Sequence, residues 1–230
     1  MATATMSKGS LVITGATPIL YNRRDIILNK GPFYSKGRGE GFDTVQERTW
    51  RDKAHYLKVS IPGEDLEDVE EGTIDRYEKA CAGDKVIVPA QWLKMSLINT
   101  QKASGNPIKP EGAKRANDTM KQYFVSGISF DDDILLLKSD GKTAVTRKDL
   151  VLLKNVVTVP QGGSVACYRP LYNGWMANLT YTIYDAAITH QMIEDCMRWI
   201  GIYFGIGDWR PQHGGSYGRF TVEDGGKKKK

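Results

Sequence analysis

The stretch AITHQMIEDCMRWIGIYF, residues 187–204, carries the strongest period in the chain. Ile188, Met192, Ile193, Cys196, Met197, Ile200 and Phe204 recur at steps of three and four, so a helix over 187–204 presents one wide apolar stripe to a core. The segment before it, WMANLTYTIYD (175–185), alternates instead. Met176, Asn178, Thr180 and Thr182 fall on one side, and Ala177, Leu179, Tyr181 and Ile183 on the other, the two-residue period of a strand. Behind the helix, GIGDWRPQHGGSYGRF (205–220) holds five glycines and runs into RFTVED (219–224), a last strand.

The same reading extends towards the N-terminus. LVITGATPILY is β-branched and apolar, with Pro18 near its end, and reads as a first strand over 11–20. AQWLKMSLINTQKAS places Leu93, Leu97 and Ile98 on one face of a helix over 90–103, with Gly105 as its stop. YFVSGISF (123–130) reads as a strand. The order is βαββαβ, the split order of a ferredoxin-like fold, so the fold class is α+β. HYLKVSIP (55–62), DKVIVP (84–89) and a hairpin region over 134–160, with Asp140-Gly141 as its turn, add strands to that core. One domain over 1–226 is expected, with insertions at 22–84 and 134–170 and a disordered lysine tail at 227–230.

Charge has to be located before it argues for anything. The net charge is +5, but Lys227–Lys230 supply four of those charges, so global charge makes no case for a polyanionic partner. Locally it does. Between Arg23 and Lys58 nine Lys or Arg face five Asp or Glu, with Phe33, Tyr34, Phe42, Trp50 and Tyr56 interleaved. A second basic region runs from Lys85 to Lys121, seven basic against two acidic residues, while 63–84 is acidic. Cys81, Cys167 and Cys196 are far apart and lack metal-ligand spacing, the pattern of reduced, small apolar side chains in a cytoplasmic protein. The N-terminus has no apolar core of a secretory signal, and no apolar run approaches the ~20 residues of a membrane span. No cofactor, metal or membrane partner is expected.

Clustered glycines let a backbone approach a ligand closely, and Arg210 and Arg219 suit phosphate while Trp209 and Tyr217 offer stacking faces. The stretch is not a Walker motif, because the Gly-Lys-Ser/Thr ending is missing. It follows a helix and enters a strand, the reverse of the dinucleotide fingerprint's setting.

A helix, GIGDWRPQHGGSYGRF and a strand, in that order, resemble the C-terminal glycine-rich loop of the RAMP superfamily, the ferredoxin-like RNA-binding proteins of CRISPR systems. VPAQWLKMSLINTQKAS (88–104) resembles the segment leading into that family's first core helix, and LVITGATPILY fits its first strand. YRPLYNGW (168–175) together with the glycine-rich ending is also similar to uncharacterised phage-encoded proteins. The Trp-Arg-Pro insert in the loop and the short chain depart from CRISPR backbone subunits, so a phage or mobile-element relative fits equally. The resemblance implies binding of RNA or single-stranded DNA by a repeating, homo-oligomeric or multi-subunit assembly, with the 22–56 excursion reaching neighbouring nucleotides. The phosphate candidates are Arg23, Arg24, Lys36, Arg38, Arg210 and Arg219. The stacking candidates are Trp50, Trp209 and Tyr217, and Gly207, Gly214 and Gly215 are the points of close backbone approach.

An enzymatic alternative stays open beside binding. The RAMP endoribonucleases often activate a ribose hydroxyl with histidine, which makes His55 or His213 the base or acid. Some backbone subunits cut RNA with an aspartate in the first excursion, roughly where Asp25 stands. His190 falls in the first turns of the second helix. The run Asp131–Asp132–Asp133 suits a hard cation chemically, but adjacent carboxylates at a strand end diverge, and a solvated turn is the simpler expectation. A phage structural or assembly protein that touches no nucleic acid is the remaining alternative.

Overall fold

Ser7–Gly15 (β1) and Trp175–Ile183 (β9) lie antiparallel, in register from Ser7 opposite Ile183 to Thr14 opposite Met176. Alternation sorts their side chains by face. Leu11 and Ile13 meet Leu179 and Ala177 across the ladder on the buried side. Ser10 and Thr180 are register partners on the opposite, exposed side. The computed structural model describes residues 6–22, 50–57, 79–103, 119–131, 133–158 and 164–223.

Two compact units share the chain: Met1–Ile19, Val88–Thr143 and Asn173–Lys230 in one, Leu20–Ile87 and Ala144–Tyr172 in the other. The second draws on the two stretches read above as insertions.

In the first unit Phe220–Glu223 (β10) pairs with β1, and Ile128–Phe130 (β4) with β9, giving the order β10-β1-β9-β4 with every neighbour antiparallel. Leu137–Lys138 (β6) also pairs with β9, and Ile87–Pro89 (β3) with Asp133–Leu135 (β5). The helix Ala90–Ala103 (α1) follows β3 directly and buries Leu93, Leu97 and Ile98. His190–Trp199 (α3) connects β9 to β10 and buries Ile193, Cys196 and Met197. The two helices pack on one another, α1 against β4 and α3 against β10. Each fully buried Leu, Ile or Met contributes on the order of 1.5–3 kcal/mol, so this helix-facing side is where the unit's stability is concentrated. Burial also pushes the Cys196 thiol up to about 12, which leaves it protonated and unreactive near neutral pH.

Thr189 starts α3 by accepting the Met192 N–H on its side chain at 3.2 Å, an ordinary N-cap. The end is less ordinary. Ile200–Phe204 forms a π turn, and Gly205, at φ +66°, closes it by donating its N–H to the Ile200 carbonyl at 2.7 Å. The helical period of 187–204 therefore covers a capped α-helix plus a π turn, beginning at His190. The carbonyls of the β10 edge are covered from this side. Arg198, paired with Glu194 at 2.7 Å, donates to the Val222 carbonyl at 3.4 Å, and Gly201 lies against the Phe220 carbonyl.

The expected strand over 123–130 is half helix. Lys121–Ser126 (α2) precedes β4 and buries Phe124 while Val125 faces outward. The strand preference of Tyr123, Phe124 and Val125 gives way because a helical turn buries Phe124 and returns the chain into register opposite Ile183. The first strand also breaks at Ala16–Pro18, where Ala16 and Thr17 both donate to the Arg219 carbonyl.

In the second unit Val151–Thr158 (β7) and Ser164–Tyr172 (β8) form a long ladder, extended by the two-residue strand Ile19–Leu20 (β2), of which Leu20 belongs to this unit. Arg147, 1% exposed, bonds Asp52 at 2.6 Å and lies 5.4 Å over the Tyr56 ring. Thr146 caps its 3-10 turn, both its N–H and its hydroxyl donating to Asp149 at 2.8 and 2.7 Å. The expected strand over 55–62 is described only to Leu57, with Tyr56 bridging Val86.

Candidate nucleic-acid interface

Residues 205–220 fold on themselves before they offer anything to a ligand. The Ile206 N–H donates to the Gly218 carbonyl at 2.9 Å and the Tyr217 N–H to the Trp209 carbonyl at 3.2 Å. Gly215 donates to the Arg210 carbonyl, and Gly214 to the Pro211 carbonyl. The end of the first strand holds the return limb, with Gly218 donating to the Pro18 carbonyl and the Arg219 N–H to the Thr17 hydroxyl. Two glycines are required by contact rather than by a ligand. A Cβ on Gly215 would sit 1.7 Å from the Trp209 carbonyl oxygen, and one on Gly218, at φ +71°, 1.7 Å from that of Ile206. The glycine content thus builds the loop's own crossing of two backbones, and the N–H groups of Gly214 and Gly215 are spent inside it. Gly207, at φ +87° and buried, lends its carbonyl to Arg210.

The side chains are placed differently. Trp209 and Tyr217 stand nearly parallel, centroids 6.5 Å apart at 20°, and both are partly exposed. Trp209 holds φ +50°, the only non-glycine residue at positive φ among those described. A bulky residue there costs about 1–2 kcal/mol that glycine would avoid. The Arg210 guanidinium donates to the Gly207 carbonyl at 3.1 Å and twice to Gln212 Oε1, at 3.0 and 2.9 Å. Those bonds use three of its five N–H groups and aim the remainder. Arg219 donates one N–H to the Ile202 carbonyl, which ties the loop to the π turn. Trp199, Tyr203 and Phe204 form an aromatic cluster at that turn, with Ile202 and Tyr203 more than half exposed.

The remaining candidates scatter. Trp50 is 6% exposed, and its face is taken by the Arg51 guanidinium at 4.3 Å. Arg23, Arg24, Asp25, Lys36 and Arg38 lie outside the described residues. His55 is half-buried beside Tyr21, with ring centroids 6.4 Å apart, in the second unit. His213 is exposed at the loop tip in the first, so the two histidines named as acid or base belong to different units. Asp131 accepts a hydrogen bond from the Thr180 hydroxyl, and Asp132 lies outside the described residues. Among the described residues no three His, Cys, Asp or Glu side chains gather as a metal site, and no helix is long and apolar enough to cross a membrane.

The open face of the central sheet completes the picture. Ser10, Asn178, Thr180 and Thr221 are exposed on it, with Lys8, Asp131 and Glu223 as its charges among the described residues. A hydroxyl-rich face with more anionic than cationic groups does not attract a phosphate backbone. The loop is the better candidate. The partners that hold it, Thr17, Pro18 and Gln212, escaped the sequence reading. Pro18 near the end of an apolar strand was the one signal that the backbone leaves the ladder there.

No protein-family model matches this chain, and no curated protein matches it.

Proposed function

We propose that this protein binds RNA or single-stranded DNA through the 205–220 loop, on a RAMP-like ferredoxin core, as a repeating subunit of a ribonucleoprotein or nucleoprotein filament. The strand order supports the core: numbered by βαββαβ position, β10-β1-β9-β4 is 4-1-3-2, all antiparallel, with α1 and α3 as the two crossovers. One observation carries the binding reading. Trp209 occupies a backbone conformation that favours glycine, yet keeps a large ring partly exposed beside Tyr217 and Arg210. A loop selected only to turn would place glycine there. Stacked aromatics receive bases without regard to sequence, and the neighbouring guanidinium receives phosphate.

Fluorescence anisotropy with labelled single-stranded RNA and DNA of equal sequence, at two salt concentrations, tests this. Binding should weaken steeply with salt, and Arg210→Ala should flatten the dependence by about 0.7 of a logarithmic unit per lost phosphate contact. Affinity indifferent to salt, or unchanged in Trp209→Ala with Arg210→Ala, rejects the reading. Light scattering with oligonucleotides of increasing length tests the repeat, because subunits should add in proportion to length.

A further inference from the structure

At the opposite end of α3 from the loop, a side chain from β1 meets two that lie nine residues apart, one on β9 and one at the start of α3. The Ser7 hydroxyl lies 2.7 Å from His190 Nε2, and the Tyr181 hydroxyl 3.1 Å from His190 Nδ1. Ser7 and Gly9 share one face of β1, Tyr181 stands opposite Gly9 on β9, and His190 is the first residue of α3. We infer that Ser7, His190 and Tyr181 form an acyl-transfer centre in which Ser7 is the nucleophile and the substrate is a small carboxylic ester.

Four observations support this, none of which bears on the nucleic-acid reading. With its proton on Nδ1 the ring donates to Tyr181 and accepts the Ser7 hydroxyl proton on Nε2, the arrangement of a nucleophile with a positioned base. Tyr181 is 2% exposed and packed edge-on by Phe130 at 5.9 Å, so it fixes the ring while Ser7 and His190 remain reachable from solvent. Burial, together with the charge of Glu194, raises the Tyr181 pKa, so its hydroxyl stays neutral and able to accept. Gly9 keeps the site open. A Cβ there would lie 2.5 Å from both His190 Nδ1 and Tyr181 Cζ.

The chemistry balances without a cofactor. Ser7 Oγ attacks the acyl carbon as its proton passes to His190 Nε2. The ester C–O bond breaks, the Nε2 proton leaves on the alcohol, and the acyl group remains on Ser7. Water then attacks the acyl carbon, His190 again takes the proton and returns it to Ser7 Oγ, and the carboxylic acid departs.

The full chain is treated with a fluorophosphonate probe and, separately, with p-nitrophenyl acetate. One adduct on Ser7 is expected, with none in Ser7→Ala and labelling at least about 100-fold slower in His190→Gln. Tyr181→Phe should lower the maximal labelling rate and leave the half-saturating probe concentration unchanged, a split that loss of packing alone would not produce. No adduct, an adduct elsewhere, or equal rates in His190→Gln overturns the inference. Should a variant fail to fold, Ser7→Cys replaces it: this thiol should alkylate faster than Cys167, and equal or slower alkylation also overturns the inference. Nucleic-acid affinity is expected to be the same in Ser7→Ala, so the two readings fail separately.

Discussion

Gly201→Ala separates local propensity from tertiary packing at one atom. Gly201 lies in the π turn behind α3, and in a helical segment alanine is better than glycine by about 1 kcal/mol. Propensity alone therefore expects a more stable protein. The structure reverses the sign. The added Cβ would sit 2.1 Å from the Phe220 carbonyl oxygen and 3.0 Å from the Phe220 carbonyl carbon and ring. Phe220 is 1% exposed and paired opposite Gly15, so relief requires β10 to move about 1 Å relative to α3 or the π turn to unwind. Overpacking of that kind costs about 1–3 kcal/mol, and a lost ladder hydrogen bond adds about 1 kcal/mol. After the propensity gain the net destabilisation is about 1–3 kcal/mol, a fall in thermal midpoint of about 2–12 °C for a chain of this size. Thermal unfolding by circular dichroism, with urea titration for the free energy, measures it. Gly83→Ala is the control, because nothing lies within 4 Å of its added Cβ. A Gly201→Ala protein as stable as wild type, or more so, would refute the close approach of the π turn to β10.

Three further outcomes follow from single residues. Arg147→Ala removes a fully buried guanidinium and the 2.6 Å partner of the half-buried Asp52, and should cost about 3–5 kcal/mol in urea titration, whereas a surface arginine would cost almost nothing. Asp140 accepts from Thr143 and the Lys142 N–H, which lowers its pKa from 3.8 to about 2. Its stabilisation is therefore complete above about pH 4 and lost as pH falls towards 2, so the midpoint gap between wild type and Asp140→Ala should close over that window and stay constant from pH 5 to 8. Trp209→Gly relieves φ +50° but removes the Tyr217 stack, terms of about 1–2 and 0.5–1.5 kcal/mol, so stability should hardly change while affinity for single-stranded nucleic acid falls by about 1–3 kcal/mol.

Sequence and structure divide the explanation along a physical line. Periodicity is local, so the strand at 175–185, a helix within 187–204 and the helix over 90–103 were legible, although the second helix starts only at His190. Which strands neighbour one another in the antiparallel sheet is decided by pairing between segments far apart in the chain. The residues around 123 were not legible, because Tyr123, Phe124 and Val125 favour a strand and only the burial of Phe124 makes them helical. The purpose of the glycines was not legible either. Composition offers the same glycine to a phosphate and to a crossing backbone, and the 1.7 Å approaches at Gly215 and Gly218 assign two of them to the backbone. Trp50 illustrates the limit for side chains, since an aromatic in a basic segment looks like a stacking face until Arg51 is found on it. The meeting of Ser7 with His190 depends on contact across 183 residues. Local sequence sets each segment's conformation; which hydroxyl reaches which imidazole is decided only when β1, β9 and α3 pack together.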